Sequence, residues 1–201
     1  DAENALTNQC CDLIGMSRAH ISDAAFGNKA KNGSAALIRP CVFDNSSWGE
    51  IHQGKPLAEF HNPMLGLQGE ANWLPELAKI AKKIAIIGAG PAGLEAAWTA
   101  AARGHDVDLY SASKQVGGAL RLESSLPGRG DMAQIFNHQL QQSERYGVTL
   151  HLDQYIEVAN LTVLLADTII LATGAHLRPP EEFTLVDGPL ISGRDYLKGE
   201  G

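Results

Sequence analysis

Positive charge is what this chain lacks most. Lys and Arg number 16 against 23 Asp and Glu, a net charge of −7. That balance argues against nucleic acid as a partner, because such partners are held through their phosphates by Lys and Arg. Long apolar runs are missing too: none reaches the about 18 residues that would cross a bilayer, so no membrane partner is expected. The amino terminus, DAENALTNQCCDLIG, has neither the basic start nor the apolar core of a signal peptide. Cysteine is scarce. Cys10, Cys11 and Cys41 cannot all pair, so a disulfide framework is not expected. Reduced thiols in a cytoplasmic protein are the expectation. What remains is a globular composition, 44% hydrophobic and 19% charged over 201 residues. That is enough for one domain or a domain plus pieces.

The most informative stretch is KIAIIGAGPAG, Lys83 to Gly93. A short apolar run, Ile84 to Ile87, meets Gly88-Ala89-Gly90-Pro91-Ala92-Gly93, and helix formers follow from Leu94 to Arg103. This is a buried strand, a glycine turn and a helix start in one window. Gly88 permits a tight turn, Gly90 lets a pyrophosphate approach the backbone, and Gly93 lets helix and strand pack closely. A pyrophosphate placed there faces free N–H groups at the positive end of the helix dipole. A second strand, His105 to Tyr110, follows at the expected distance. The bland alternative is a glycine turn in an ordinary βα unit.

Around this motif the expected order is as follows. Residues 1–9 end a helix, and Cys10 to Met16 form a short buried strand. A helical stretch lies near Asp23 to Lys31, and another short one ends at Ile38. Arg39 to Asn72 is broken by Pro40, Gly49, Gly54, Pro56, Pro63, Gly66 and Gly69, and is read as irregular. Leu74 to Lys83 is expected to be a short basic helix. Beyond β and α at Ile84–Ala102 come a strand at Val107–Tyr110, a glycine loop at Gly117-Gly118 and a helix over Asp131–Tyr146. Strands at Val148–Leu152 and Thr168–Leu171 complete the series, and a loop-rich tail runs from Leu177. Alternating strands and helices imply an α/β fold with a parallel, Rossmann-like sheet. Trp48, Trp73 and Trp98 are taken as packing residues, and His105, His138 and His151 as surface or strand-end residues.

Six segments occur in an order more specific than the glycines alone. They are GMSRAHISD at Gly15–Asp23, IRPC at Ile38–Cys41, IIGAGPAGLEAA at Ile86–Ala97, GGAL at Gly117–Leu120, LPGR at Leu126–Arg129 and LATGA at Leu171–Ala175. In that order the chain resembles the old yellow enzyme-like multidomain flavoproteins, among them trimethylamine dehydrogenase and 2,4-dienoyl-CoA reductase. The resemblance implies the last βα unit of an FMN-binding TIM barrel over residues 1–38 and a degenerate iron–sulfur linker over 39–82. It implies the first part of an FAD- or ADP-binding domain over 83–201, cut before an NAD-binding domain. The rest of the barrel and that NAD-binding domain would then be partners, on another chain or in further sequence, within a hetero- or homo-oligomer. An excised fragment is favoured over a natural split subunit, since neither end is a domain boundary.

The same resemblance implies FMN-phosphate contacts from Gly15, Ser17 and Arg18, and nucleotide contacts from Gly88, Gly90, Pro91, Ala92, Gly93, Gly117, Gly118, Thr173 and Gly174. It also marks two departures. Of four linker cysteines only Cys41 is present, with Asp44, Ser47 and Glu59 near the other positions. Iron–sulfur clusters want four soft thiolates, so loss of the cluster is expected and no metal site is assigned. At the end of the second strand, where a carboxylate usually bonds the ribose, stands Ser111. Asp108 is three residues early. Ser113 and Lys114 nearby leave a phosphorylated ribose conceivable.

The implied function is part of a flavin-dependent oxidoreductase, reducing enoate or dienoyl compounds or oxidatively demethylating amines at FMN. No catalytic residue of that chemistry falls in this chain. The alternative is a non-catalytic subunit holding ADP or FAD. A stand-alone disulfide reductase is disfavoured, because the chain has no redox-active cysteine pair.

Overall fold

The computed structural model describes residues 2–175 and 193–199. The chain divides into two compact units, Asp1–Trp73 and Leu74–Gly201, and each is taken by itself.

The first unit carries four short helices: α1 (Ala2–Thr7), α2 (Arg18–Ser22), α3 (Phe26–Lys31) and α4 (Ser46–His52). Cys10 to Met16, expected as a buried strand, is exposed and irregular instead. A strand needs a neighbour for its N–H and C=O groups, and none of the described residues pairs with this stretch. Trp48 also departs from expectation: it is 65% exposed and sets its ring edge-on to His52.

What holds the unit is buried polar bonding. Asp23 Oδ1 accepts the Ala25 N–H at 3.0 Å, and Oδ2 accepts the Arg39 N–H at 2.8 Å and Lys29 Nζ at 2.5 Å. Asn62 donates to the Ile21 carbonyl at 2.8 Å and to Glu70 Oε1 at 3.0 Å. The stretch Arg39 to Asn72, expected to be irregular, carries α4, and its turns are closed by backbone bonds such as Gly54 N–H to the Ile51 carbonyl and Leu67 N–H to the Met64 carbonyl, to which these side-chain bonds are added. Asp23→Ala would leave two N–H groups unpaired and the Lys29 ammonium with the Leu37 carbonyl, at 3.0 Å, but no counter-charge. A loss of about 2–4 kcal/mol is expected in the urea unfolding of this unit, and an unchanged midpoint would show Asp23 to be dispensable.

The second unit is a four-stranded, all-parallel sheet. Its elements are β1 (Lys83–Ile87), α5 (Pro91–Ala102), β2 (Asp106–Tyr110), α6 (Gly118–Ser124), α7 (Ala133–Arg145), β3 (Thr149–His151), β4 (Thr168–Leu171) and α8 (Gly193–Lys198). The strand order is β3-β2-β1-β4. Ile84 lies beside Val107 and Thr168, Ile86 beside Leu109 and Ile170, and Tyr110 beside His151. β1 is an inner strand and is buried from Ile84 to Ile87, as expected for a parallel sheet. In β2 burial alternates: Val107 and Leu109 are buried with Leu94, Ala97 and Phe136, while Asp108 and Tyr110 point to the opposite face. α5 is rich in alanine, which brings it close to the sheet. Gln139 Nε2 of α7 donates to Glu95 Oε2 of α5 at 2.9 Å.

Leu74 to Lys83 is not helical. Its backbone bonds outward: Ala78 N–H to the Arg103 carbonyl at 2.9 Å, Lys82 N–H to His105 Nδ1 at 3.1 Å and Lys83 N–H to Asp167 Oδ2 at 2.8 Å. A helix this short is marginal without tertiary support, and these bonds displace it. The Gly117-Gly118 loop is also more than a loop, since α6 begins at Gly118. Most of the tail from Leu177 lies outside the described residues. No helix among the described residues is long and apolar enough to cross a membrane.

Candidate functional site

Ligands of open parallel sheets bind beyond the carboxyl ends of the strands. Three segments far apart in sequence meet at that end here. Gly88 continues β1, its N–H donating to the Tyr110 carbonyl at 2.8 Å, and Ala172 continues β4, its N–H donating to the Ile87 carbonyl at 2.8 Å. The Gly117 N–H donates to the Ala89 carbonyl at 2.8 Å. The turns at 88–90, 117–118 and 172–174 are therefore laced together.

The glycines there serve different ends. Gly88 has φ +113, and a Cβ on it would sit 2.2 Å from the Ala172 carbonyl oxygen. A Cβ on Gly93 would lie 1.8 Å from the Gly88 carbonyl oxygen. Both are fixed by backbone packing alone. Gly118 has φ +54, and its Cβ would stand 3.0 Å from Gly90 Cα. Gly90 is the exception. Its φ is −79 and ψ −179, open to any residue, and an added Cβ would meet nothing nearer than Gly118 Cα at 4.0 Å. Neither backbone strain nor packing asks for glycine there.

Immediately after it, Pro91 opens α5 with no N–H to leave unpaired. The first intrahelical bond runs from the Leu94 N–H to the Gly90 carbonyl at 3.0 Å, so the N–H groups of Ala92 and Gly93 precede the ladder and point beyond the helix end. Ala92 is exposed. These residues fit a pyrophosphate: a cradle without a side chain, donor groups, and the positive end of a helix dipole.

Ser111 stands where counting placed it, directly after β2. It is buried, its N–H donates to the His151 carbonyl at 2.9 Å, and its Oγ accepts the Ser113 N–H at 3.2 Å. Thr173 and Gly174 are exposed, Gly174 with φ +80. Gly15, Ser17 and Arg18 lie in the first unit. There Arg18 Nη1 donates to Asn45 Oδ1 at 3.0 Å, and its guanidinium stands 5.0 Å from the centre of the Phe43 ring.

Other supporting residues carried no signal in the sequence. Arg121 Nε donates to the Val116 carbonyl at 2.5 Å, and its guanidinium covers the Phe136 ring at 4.7 Å, bracing the Gly117 turn from behind. On the sheet face away from α5, His151 stacks on Tyr110 at 4.4 Å and places Nε2 2.7 Å from Asp108 Oδ1. Lys83 Nζ lies 3.7 Å from Asp108 Oδ2. Asp108 is thus engaged within the sheet. Burial, and secondarily the Asp108 charge, raise the Tyr110 phenol above its ordinary pKa of 10.

In the linker, Glu59 turns to His61, with Oε1 2.6 Å from Nδ1 and both side chains buried, while His61 Nε2 lies 2.5 Å from the Pro40 carbonyl. Asp44 Oδ2 accepts the Ser46 N–H at 3.1 Å. Ser47 is buried and Cys41 is a partly buried free thiol. Among the described residues, no group of three or more His, Cys, Asp or Glu could hold a metal.

Comparison with known proteins agrees with this geometry. Residues 82–192 match the family described as pyridine nucleotide-disulphide oxidoreductase. Along 99% of its length the chain is 32% identical to a probable N-methylproline demethylase of Rhizobium meliloti, covering 29% of that protein. It is 32% identical over 87% of its length to an NADH oxidase of Thermoanaerobacter brockii, covering 27% of it. Among solved structures, a 2-naphthoyl-CoA reductase in complex with 2-naphthoyl-CoA superposes on the whole chain with a TM-score of 0.90, at 26% identity and 30% of its own length. The 6-hydroxypseudooxynicotine amine oxidase of Pseudomonas geniculata N1 gives 0.84 at 28% identity, over 98% of this chain and 31% of its own. The chain spans under a third of the length of the relatives it matches.

Proposed function

The chain belongs to the pyridine nucleotide-disulphide oxidoreductase family over residues 82–192, and along its length to the old yellow enzyme-like multidomain flavoproteins; on that premise we propose that its second unit holds the ADP moiety of FAD, or ADP itself, within a flavin-dependent oxidoreductase. The observation that carries this reading is Gly90, a glycine that the fold itself does not require. Gly88, Gly90 and Gly93, with Pro91 and Ala92, would cradle the pyrophosphate on the α5 start. Gly117 and Gly118, and Thr173 and Gly174, would close its sides, and Ser111 would face the ribose.

The cofactor, where it is FAD, supplies electron transfer. This chain's residues bind and orient its nucleotide end and keep bulk away from the pyrophosphate. Residues 1–38 would close an FMN-binding barrel, with Gly15, Ser17 and Arg18 near its phosphate. The linker over 39–82 would run without an iron–sulfur cluster, since Cys41 is the one thiol its sequence supplies. Substrate chemistry, whether enoate reduction or amine demethylation, would take place at FMN outside these residues.

A cofactor test decides between catalysis and scaffolding. The purified protein, with whatever chains accompany it, is denatured, and the released small molecules are separated and identified. Released flavin with matching visible absorbance is the expected result. ADP alone, from a colourless protein, would favour the non-catalytic subunit. No released nucleotide, together with no binding of added ADP or FAD, would remove the proposal.

A further inference from the structure

We infer, from the nucleotide reading of the second unit, that His151 is a positioning residue of that site: through its bond to Asp108 it fixes the backbone that holds residues 111–113, the ribose end, in place for ADP. Ser111 follows β2, and the chain leaving β3 holds it from one side. The Ser111 N–H donates to the His151 carbonyl at 2.9 Å, the Gln154 N–H to the Ser111 carbonyl at 2.8 Å, and the Asp153 N–H to the Ser113 carbonyl at 3.1 Å. Just before Ser111, the Tyr110 carbonyl takes the Gly88 N–H of the pyrophosphate turn. Where Ser111 stands relative to that turn therefore depends on how firmly β3 lies against β2.

β3 gives little hold of its own. It has three residues, Thr149–His151, and among the described strands it pairs with β2 alone. So short an outer strand has few bonds to lose before it opens. The His151 side chain supplies the hold. Its ring lies nearly parallel to that of Tyr110, 4.4 Å away at 9°, and Nε2 reaches back to Asp108 Oδ1 at 2.7 Å. A carboxylate can only accept, so Nε2 is the donor. The other carboxylate oxygen, Oδ2, faces Lys83 Nζ of β1 at 3.7 Å. Asp108 thus ties the end of β3 to β2 and toward β1. Its side chain is 15% exposed and that of His151 29%, so the bond is screened less than a surface pair.

Stabilising and positioning have different consequences. A clamp that only stabilised the sheet would, on removal, lower the urea midpoint and leave the folded protein's affinity unchanged. A clamp that presets the ribose end would, on removal, weaken ADP in protein that is still folded, because binding must then restore the order of the loop.

Calorimetric titration with ADP tests this, on parent and variants shown to be folded by their urea curves. His151→Ala is expected to bind ADP about tenfold more weakly than the parent, the order of one charge-assisted hydrogen bond. Asp108→Ala, which leaves the ring on Tyr110 and removes its anchor, should show the same loss, and decides the matter if His151→Ala does not fold. His151→Gln keeps a side-chain N–H for Asp108 without the ring, and should recover to within about threefold of the parent. Gly104→Ala strains the other end of β2, where φ is +87, and should bind ADP as the parent does. ADP held by the folded alanine variants as tightly as by the parent would overturn this inference and leave the nucleotide site standing. So would His151→Gln as weak as the alanine variants, since Asp108 would then not be the anchor. An equal loss in Gly104→Ala would overturn it too, since lowered stability alone would account for the effect. A parent that binds no ADP would overturn the nucleotide reading and this inference with it.

Discussion

Gly93→Ala is expected to destabilise the second unit by about 3 kcal/mol or more, measured as a drop in the urea midpoint. The added methyl would lie 1.8 Å from the Gly88 carbonyl oxygen, 3.0 Å from its carbon and 3.3 Å from Ala172 Cβ. No rotamer relieves this, because the nearest obstacle is backbone. Moving Gly88 away would break its bond to Tyr110, and shifting α5 would open the contact of Leu94 and Ala97 with the sheet. Against a total stability of about 5–15 kcal/mol, such a loss is a large fraction. Gly88→Ala should behave alike, adding a φ of +113 to a 2.2 Å collision with the Ala172 carbonyl.

Gly104→Ala separates strain from collision. Its φ is +87, but its Cβ would meet only Leu77 Cδ2 at 3.5 Å, so about 1 kcal/mol is expected. If Gly93→Ala unfolded no more readily than Gly104→Ala, the close approach of helix and strand would not be what Gly93 provides.

The parts of this fold that were legible in the sequence are those whose signal is local. Thr168–Leu171 emerges as a strand with the bounds read from its residues, and Ile84–Ile87 and Val107–Tyr110 each gain one residue at the start. Each is a run of apolar or β-branched residues between turn residues, and each has neighbours on both sides or a core face to fill. Cys10–Met16 has the same apolar look but no described strand beside it, and it stays irregular. Leu74–Lys83 fails for the opposite reason. Its helical composition is outweighed by partners it finds at Arg103, His105 and Asp167. Long-range choices of this kind leave no mark on local composition.

The site divides in the same way. The places of Gly88, Gly90, Gly93 and Ser111 in the fold were readable because they follow from spacing along one βαβ path. Arg121 over Phe136, and His151 between Tyr110 and Asp108, were not. Those pairs join residues 15 to 43 positions apart, through side chains that carry no periodic signal.

Gly90→Val should give the reverse of the Gly93 result: a protein as stable as the parent that has lost its nucleotide. At φ −79 and ψ −179 any side chain is allowed, and a Cβ finds only Gly118 Cα, at 4.0 Å. Unfolding should therefore stay within about 1 kcal/mol of the parent, and the related Gly90→Ala could gain slightly by restricting the unfolded chain. The side chain would instead occupy the space in front of the Ala92 and Gly93 N–H groups. A pyrophosphate held off those donors loses its charge-assisted bonds and the helix-end field together. The fall in ADP affinity is expected to be about a hundredfold or more, read by calorimetry beside an unchanged urea midpoint. Loss of stability with binding would make Gly90 a packing residue like Gly93. Retention of both would place the nucleotide elsewhere and remove the one observation on which the functional reading stands.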